Sequence, residues 1–235
     1  MDNNSQTIAL DVYGTLINTS GVLSWLRKNL GEKAEPFSEI WRTKQLEYSF
    51  RRGLMDRYVD FSIVTKEALE YTSLALNIQL NASEQAELLH QYRILPAFED
   101  VIVGVENLKA AGHQVYAYSN GSHKAVAELL EQAKVLSLLN GVVSMEDVRT
   151  FKPDPIGYRH FCDTTRSEVQ HTWMVSGNNF DAIGARSFGM QTAWLKRNPS
   201  GIFDPMGFEP TISISTLSDL ARAIDQFLIE KKHEQ

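Results

Sequence analysis

The first residue in the sequence whose type and place could do chemistry is Asp11. It follows Ile8, Ala9 and Leu10, a short apolar run that reads as a strand buried on both faces, as in a parallel sheet. Gly14 allows a tight turn just past the strand's carboxyl end, the edge at which open α/β sheets bind ligands. A carboxylate delivered there is placed to act as a nucleophile. It can equally cap a turn, as Asp often does. Thr15 stands beside it. Two further strands end in polar residues, one in Ser119 and Asn120, the other in Ser176, with Asn178 and Asp181 close behind. Between them lies Lys152, flanked by Phe151 and Pro153. Taken singly, serine and asparagine after a strand are ordinary helix N-caps, and a lone lysine is ordinarily solvated. Parallel strands, however, bring all their carboxyl ends to one edge, so groups far apart in sequence can converge. Their joint occurrence favours a site.

The elements that must position these groups follow from periodicity. From about Val22 to Leu95 the pattern is helical and nearly free of glycine and proline. One helix begins at Val22 and stops at Gly31, as at a helix C-cap. A second covers 37–50, with Phe37, Ile40, Trp41, Lys44 and Tyr48 on one stripe. A third runs from about Tyr58 to Leu76, and a fourth from Asn81 or Ser83 to Gln91. Beyond Pro96, helix and strand alternate. Helices are expected over 101–111, 124–133, 155–162, 182–189 and 217–231, and strands over 114–119, 141–144, 172–176 and 191–195. Such alternation argues for a parallel sheet. The expected architecture is therefore α/β: a Rossmann-like core of residues 1–17 and 97–235, with an all-helical cap inserted at about 18–96.

Composition sets the limits. The 235 residues are long for one domain and short for two, consistent with a core carrying an inserted subdomain. A net charge of −6 argues against nucleic acid or an anionic membrane as the main partner. Cys162 is the only cysteine, so an intramolecular disulfide is excluded, and it reads as a small buried hydrophobe. Neither it nor any of the six histidines has metal-ligand spacing. The Arg51–Arg52 pair reads as solvated. The start of the chain lacks the features of a signal peptide, and no run approaches the ~18 apolar residues of a membrane span. A soluble, cytoplasmic protein is the expectation.

With these residues in view, the chain resembles the haloacid dehalogenase superfamily, whose four motifs correspond to Asp11–Leu16, Ser119–Asn120, Lys152–Pro153 and Ser176–Asp181. Within that superfamily it is most similar to the L-2-haloacid dehalogenases, through residues 41–49, 151–158 and 175–189. The resemblance implies that Asp11 attacks the halogen-bearing carbon of a 2-haloacid, forming an ester and inverting the carbon. Lys152 would keep Asp11 ionised, Thr15 would orient it, and Arg42 with Asn120 would receive the halide. Ser119 matches the substrate-carboxylate site. Asp181, with Ser176 and Asn178, matches the group that activates water against the ester. Tyr13, Gln45, Leu46, Phe61 and Phe180 correspond to the wall around the substrate, and Tyr158 to a further tyrosine of the site. Phe180 stands where the family leads one to expect tryptophan, and Gly177 where serine is more usual, a change expected to matter little. No cofactor or metal is implied, and family members are commonly homodimers. The apolar stripe of the 37–50 helix could serve as that interface or as the cap's own core.

A rival comes from the same superfamily, the Mg²⁺-dependent phosphatases. They carry a second aspartate two residues past the nucleophile to protonate the leaving alcohol, and here that position is Tyr13. They also gather two acids in the last motif to hold Mg²⁺, where this chain has Asp181 among Ser176, Gly177, Asn178 and Asn179. A binding module that merely keeps the fold is a third reading, and intact Asp11, Lys152 and Asp181 count against it.

Overall fold

The computed structural model describes residues 5–233, so the first four residues of the segment weighed as a signal peptide lie outside the described residues. β1 (Thr7–Asp11) is the expected strand, with Ile8, Ala9 and Leu10 fully buried. It pairs in parallel with β2 (Gln114–Ser119) on one side and β4 (Thr172–Ser176) on the other. β3 (Gly141–Ser144) extends the sheet beyond β2, and β5 (Gln191–Leu195) beyond β4. A sixth strand, β6 (Ile212–Ile214), pairs in parallel with β5. The sequence reading has no counterpart for it, because three residues without a longer apolar run give no usable period. The resulting order is β3-β2-β1-β4-β5-β6. The chain leaves β1 toward β2 and later returns to its other side, so the topological switch falls between β1 and β4, where such sheets bind ligands.

Four helices, α1 (Gly21–Leu30), α2 (Ala34–Leu54), α3 (Phe61–Ala75) and α4 (Ala82–Gln91), stand between β1 and α5 (Val101–Ala110). α2 begins earlier than its apolar stripe suggests. Pro36 falls in its first turn, where a helix needs no backbone donor. α3 begins at Phe61 rather than Tyr58, because the Asp60 side chain accepts from Ser62 N at 2.7 Å and caps it there. α4 starts from Asn81 in a capping box with Glu84. On α2, Phe37 and Trp41 are buried; Trp41 meets Tyr92, just past α4, edge-on, and its Nε1 donates to Thr65 O of α3 at 2.9 Å. Phe37 and Trp41 of the stripe thus belong to the core of the helical insert, whereas Ile40, Lys44 and Tyr48 stay partly exposed. Arg52 is not simply solvated as expected: it bridges α2 to α3 through Glu67 at 2.6 Å.

The two connections between the insert and the sheet lie side by side. Ile17 and Ala97 form an antiparallel bridge, Asn18 N donates to Pro96 O at 2.8 Å and Phe98 N to Leu16 O at 3.0 Å. After β2 come α6 (His123–Gln132), α7 (Pro155–Thr165), α8 (Asn179–Phe188) and α9 (Leu220–His233), interleaved with the remaining strands. α8 starts three residues before its expected position, which places Asp181 in its first turn rather than in a loop. Cys162 is buried, as expected of a small hydrophobe.

Replacing Trp41 by alanine should lower stability by about 3–5 kcal/mol in equilibrium urea unfolding, the range for emptying a large buried aromatic site. A loss of only about 0.5 kcal/mol, the scale of a surface change, would contradict its place in the insert's core.

Candidate active site

Register brings the predicted polar residues together. Asp11 lies opposite Tyr118 on β2, so Ser119 is one step farther along the same edge. On the other side Leu10 pairs with Val175, which sets Ser176 beside Asp11. Gly14, at φ +81°, turns the chain back over the end of β1 in a conformation that favours glycine. Thr15 then folds over Asp11, and its Oγ1 donates to Asp11 Oδ2 at 2.7 Å. Asn178 Nδ2 donates to the same oxygen at 2.8 Å, and Ser176 Oγ lies 3.2 Å from it. The other oxygen, Oδ1, receives Lys152 Nζ at 2.7 Å.

Lys152 is only 1% exposed, and its ammonium also donates to Asp181 Oδ2 at 2.8 Å and to Tyr118 O at 3.2 Å. Burial by itself raises the Asp11 carboxyl. The Lys152 charge and the donors from Lys152, Thr15 and Asn178 outweigh it and hold the group below the usual carboxylate range. Burial likewise disfavours the Lys152 ammonium, but the two carboxylates raise it above an ordinary lysine. Asp181 is the exception. Burial raises it and Lys152 opposes, but the Asp11 charge pushes the same way as burial, and the carboxyl rises to about 7. Its Oδ2 takes Lys152 and Ser176, while its buried Oδ1 has no hydrogen-bond partner among the described residues.

A cavity of about 20 Å³ adjoins Asp11 and Lys152. Tyr13, Arg42, Leu46, Phe61, Ser119, Asn120, Asn178 and Phe180 line it, so most of the expected wall is assembled there. Ser119 Oγ accepts from Gly121 N at 3.1 Å, which leaves its hydroxyl proton to donate. Asn120 Oδ1 accepts from Lys152 N at 2.8 Å, so the Asn120 amide N–H groups remain as donors. Arg42 reaches down from α2 to Asn178 Oδ1 at 3.2 Å and to Gln45 Oε1 at 3.4 Å. Phe180 meets Phe50 of α2 edge-on at 5.3 Å between ring centroids.

Two expected residues are placed elsewhere. Tyr158 does not line the cavity. It is fully buried behind the site, its hydroxyl donating to the backbone oxygen of Asp181 at 3.2 Å. Gln45 is also fully buried, beneath Arg42 rather than along the wall. A family position carries residue type, whereas whether a side chain faces the cavity or its support depends on packing.

The sequence reading also passed over Tyr92 and Arg197. Tyr92 packs against Trp41 and Tyr13, at 4.9 and 6.4 Å between ring centroids. It lines a larger cavity of about 650 Å³ between α3, α4 and α6, which shares Tyr13, Arg42 and Phe61 with the smaller one. Arg197 lies two residues past the end of β5, and its donors are spent on Thr15 O and Asp100. A charged residue beyond a strand's carboxyl end was the available signal for it.

Among the described residues no group of three or more His, Cys, Asp or Glu is arranged to hold a metal ion. The position between Asp11 and Asp181 is filled by the Lys152 ammonium. Two residues past Asp11 stands Tyr13, whose phenol burial pushes well above its ordinary range. It is poorly suited to give up a proton.

Known proteins resemble this chain over most of its length. The family model described as haloacid dehalogenase-like hydrolase matches residues 8–195. An (S)-2-haloacid dehalogenase of Pseudomonas putida is 32% identical over 218 residues, spanning 93% of this chain and 96% of its own. The (S)-2-haloacid dehalogenase 4A of Burkholderia cepacia is 31% identical over 223 residues, 94% of this chain and 95% of its own. Among solved structures, the L-2-haloacid dehalogenase from Xanthobacter autotrophicus with chloropropionic acid covalently bound superposes with a TM-score of 0.85 at 28% identity. That match covers 94% of this chain and 98% of the other.

Gly177 matters more than its sequence suggests. A Cβ there would run into the backbone oxygen of Gly14, and the Gly177 N–H donates to Thr15 Oγ1 at 2.8 Å. Gly177→Ser should therefore lower stability by about 1–3 kcal/mol, the scale of an overpacked site, in a urea melt. An unchanged midpoint would contradict the close approach of these two loops.

Proposed function

The chain belongs to the haloacid dehalogenase-like hydrolases, and we propose that it removes halide hydrolytically from short (S)-2-haloalkanoic acids. The observation that carries this reading is Lys152, whose ammonium sits 2.7 Å from Asp11 and 2.8 Å from Asp181. It keeps the first carboxylate charged for attack and fills the place between the acids with the protein's own cation. Halide leaves as a weak base and needs no proton, so Tyr13 two residues past the nucleophile is no handicap. A phosphate ester, by contrast, would leave its alcohol without an acid. The names of the relatives point the same way.

In this mechanism the substrate carboxylate is received at Ser119, and the halide leaves toward Arg42 and Asn120. Asp11 attacks the 2-carbon from the face opposite the halogen. Oδ1 is suited to the attack, since Lys152 is its single donor among the described residues while Thr15, Asn178 and Ser176 crowd Oδ2. The C–X bond breaks with its electron pair going to halide, and the carbon is inverted into an ester of Asp11. Water, deprotonated by Asp181, then attacks the carboxyl carbon of Asp11; the bond from that carbon to the substrate oxygen breaks, the departing alkoxide takes up a proton, and the (R)-2-hydroxy acid leaves with the Asp11 carboxylate regenerated. The unpartnered Oδ1 of Asp181 is free to take that proton.

The electrostatics time the second step. While Asp11 is an anion it helps raise Asp181 to about 7. Once Asp11 is an ester that negative charge is gone, Lys152 acts on Asp181 alone, and the base ionises more readily. Asp181 thus becomes competent as the ester forms.

The 650 Å³ cavity supports approach of the substrate from between α3, α4 and α6. The rest of the reading is a metal-free, cofactor-free cytoplasmic enzyme with a core of residues 1–17 and 97–235 and a cap at 18–96. Among the described residues no helix is long and apolar enough to cross a membrane. A homodimer belongs to the proposal too, supported by exposed Ile63, Tyr71 and Leu74 along one side of α3.

The direct test is halide release from (S)- and (R)-2-chloropropanoate with EDTA present, beside p-nitrophenyl phosphate with Mg²⁺. Release from the S enantiomer alone, indifferent to EDTA, is expected. Mg²⁺-dependent phosphate-ester cleavage without halide release would move the protein to the phosphatases.

Asp181→Asn should slow ester hydrolysis by roughly 10²–10⁴-fold, the usual range for a general base, so that the Asp11 ester accumulates in mass spectra of the intact protein. In the unaltered enzyme, hydrolysis requires ionised Asp181 and so should fall as pH is lowered through a midpoint below 7. Ester formation, whose nucleophile stays ionised to lower pH, should remain level over that window. Absence of the ester, or hydrolysis as flat as formation, would remove Asp181 from this role.

A further inference from the structure

Behind the nucleophile, on the side away from the cavity, lies a second polar assembly centred on Arg197. Its Nε and Nη2 donate to Thr15 O at 3.1 and 2.7 Å. Its Nη1 donates to both oxygens of Asp100 at 2.8 and 2.7 Å. The guanidinium rests over the Phe98 ring, 4.0 Å from its centroid. Asp100 is held in turn by Leu217 N at 2.6 Å and the Thr216 hydroxyl at 2.9 Å. Side-chain exposures of only 14% for Arg197 and 18% for Asp100 set this pair apart from the surface ion pairs, whose contribution is small.

Thr15 is gripped from both ends. Its carbonyl takes two donors from Arg197, while its hydroxyl donates to Asp11 Oδ2 at 2.7 Å and accepts from Gly177 N at 2.8 Å. The other partners of Arg197, Phe98 and Asp100, belong to the segment by which the chain returns from the helical insert. That segment is stitched to the Asp11 loop by the bond from Phe98 N to Leu16 O. One planar guanidinium therefore spans the nucleophile's loop, the returning connection and the end of β5. Only arginine offers donors in the fixed, divergent directions this needs; a lysine ammonium is a point charge on a flexible stem.

We infer that Arg197, braced by Asp100, is a positioning residue for the reaction: it fixes Thr15 and, through the Thr15 hydroxyl, the orientation of the Asp11 carboxylate. It touches neither the cavity nor the reacting atoms. The inference rests on the assignment of Asp11 as nucleophile. In-line displacement is sensitive to such placement, since a misalignment of about 1 Å can slow a reaction on the order of 10²-fold.

The test is a double-mutant cycle on the single-turnover rate of ester formation. Arg197→Lys keeps the charge and loses the fork. It should reduce that rate by about 10- to 100-fold, with KM changed by no more than about threefold. In a Thr15→Val background, where the hydroxyl is already gone, Arg197→Lys should have little further effect, because both changes break one chain of contacts. Rate losses that multiply, or a rate unchanged while only the melting temperature falls, would overturn the proposal. Asp100→Asn, which keeps shape but loses the charge, should give a smaller loss with the same dependence on Thr15, and it serves if Arg197→Lys does not fold. A further readout needs no substrate. The ¹³C signal of the Asp11 carboxyl should titrate at higher pH in Arg197→Lys than in the unaltered protein, because a donor to the charged form is weakened. An unshifted titration would overturn the positioning role even if the protein released no halide, whereas absence of halide release with a shifted titration would count against the dehalogenase reading alone.

Discussion

A single ammonium buried between two carboxylates is the constraint on which the rest of this structure depends. Three ionisable groups at the centre of a sheet edge are tolerable only if each finds a partner of opposite charge and enough donors for what remains. Lys152 meets both carboxylates at hydrogen-bond distance, Thr15 and Asn178 supply further donors to Asp11, and the Ser176 hydroxyl lies 3.2 Å from an oxygen of each acid. The arrangement is asymmetric. Among the described residues one carboxylate collects Lys152, Thr15 and Asn178 and stays charged, whereas the other holds Lys152 and the Ser176 hydroxyl, keeps one oxygen unpartnered and rises to about 7. In the proposed mechanism that inequality divides the labour between a nucleophile and a base, in the manner of other enzymes that push two like groups apart by their surroundings.

The fold supplies the convergence. Asp11 and Ser176 come from neighbouring strands on either side of the topological switch, and Ser119 comes from the strand on the other flank of β1. The helical insert leaves the sheet directly after the nucleophile's strand and returns at Ala97, opposite Ile17. Its second helix thereby carries Arg42 over the same edge, to 3.2 Å from Asn178. Both ends of the insert are anchored within a few residues of Asp11, so any movement of the insert bears on the Asp11 loop first. The Arg197–Asp100 pair lies at that junction.

Much of this was legible in the sequence, and for identifiable reasons. Long periodic segments such as the Phe37–Trp41 stripe, and buried strands ending in polar residues, announce themselves by period and punctuation. The motif residues Asp11, Ser119, Lys152 and Asp181 were legible as a set because parallel topology leaves their strands and loops only one edge to share. What escaped had no such local signature. Ile212–Ile214 is too short to show a period. The start of α3 depended on where a side chain caps it, and the Asp60 side chain sets that start at Phe61. Tyr158 and Gln45 have the residue types the resemblance implies but face inward as support, a distinction made by packing. Arg197 lies outside every motif, and its importance appears only when Thr15 and Asp100 are seen to share it.

The central claim is that Asp11 itself becomes an ester and that water attacks its carboxyl carbon rather than the substrate. A single turnover in H₂¹⁸O with enzyme in excess over (S)-2-chloropropanoate tests it directly. The account predicts a 2-hydroxy acid whose new hydroxyl carries ordinary oxygen, taken from Asp11, and an Asp11 peptide that has gained ¹⁸O. Label in the hydroxyl of the product formed in that first turnover, with Asp11 unlabelled, would contradict it.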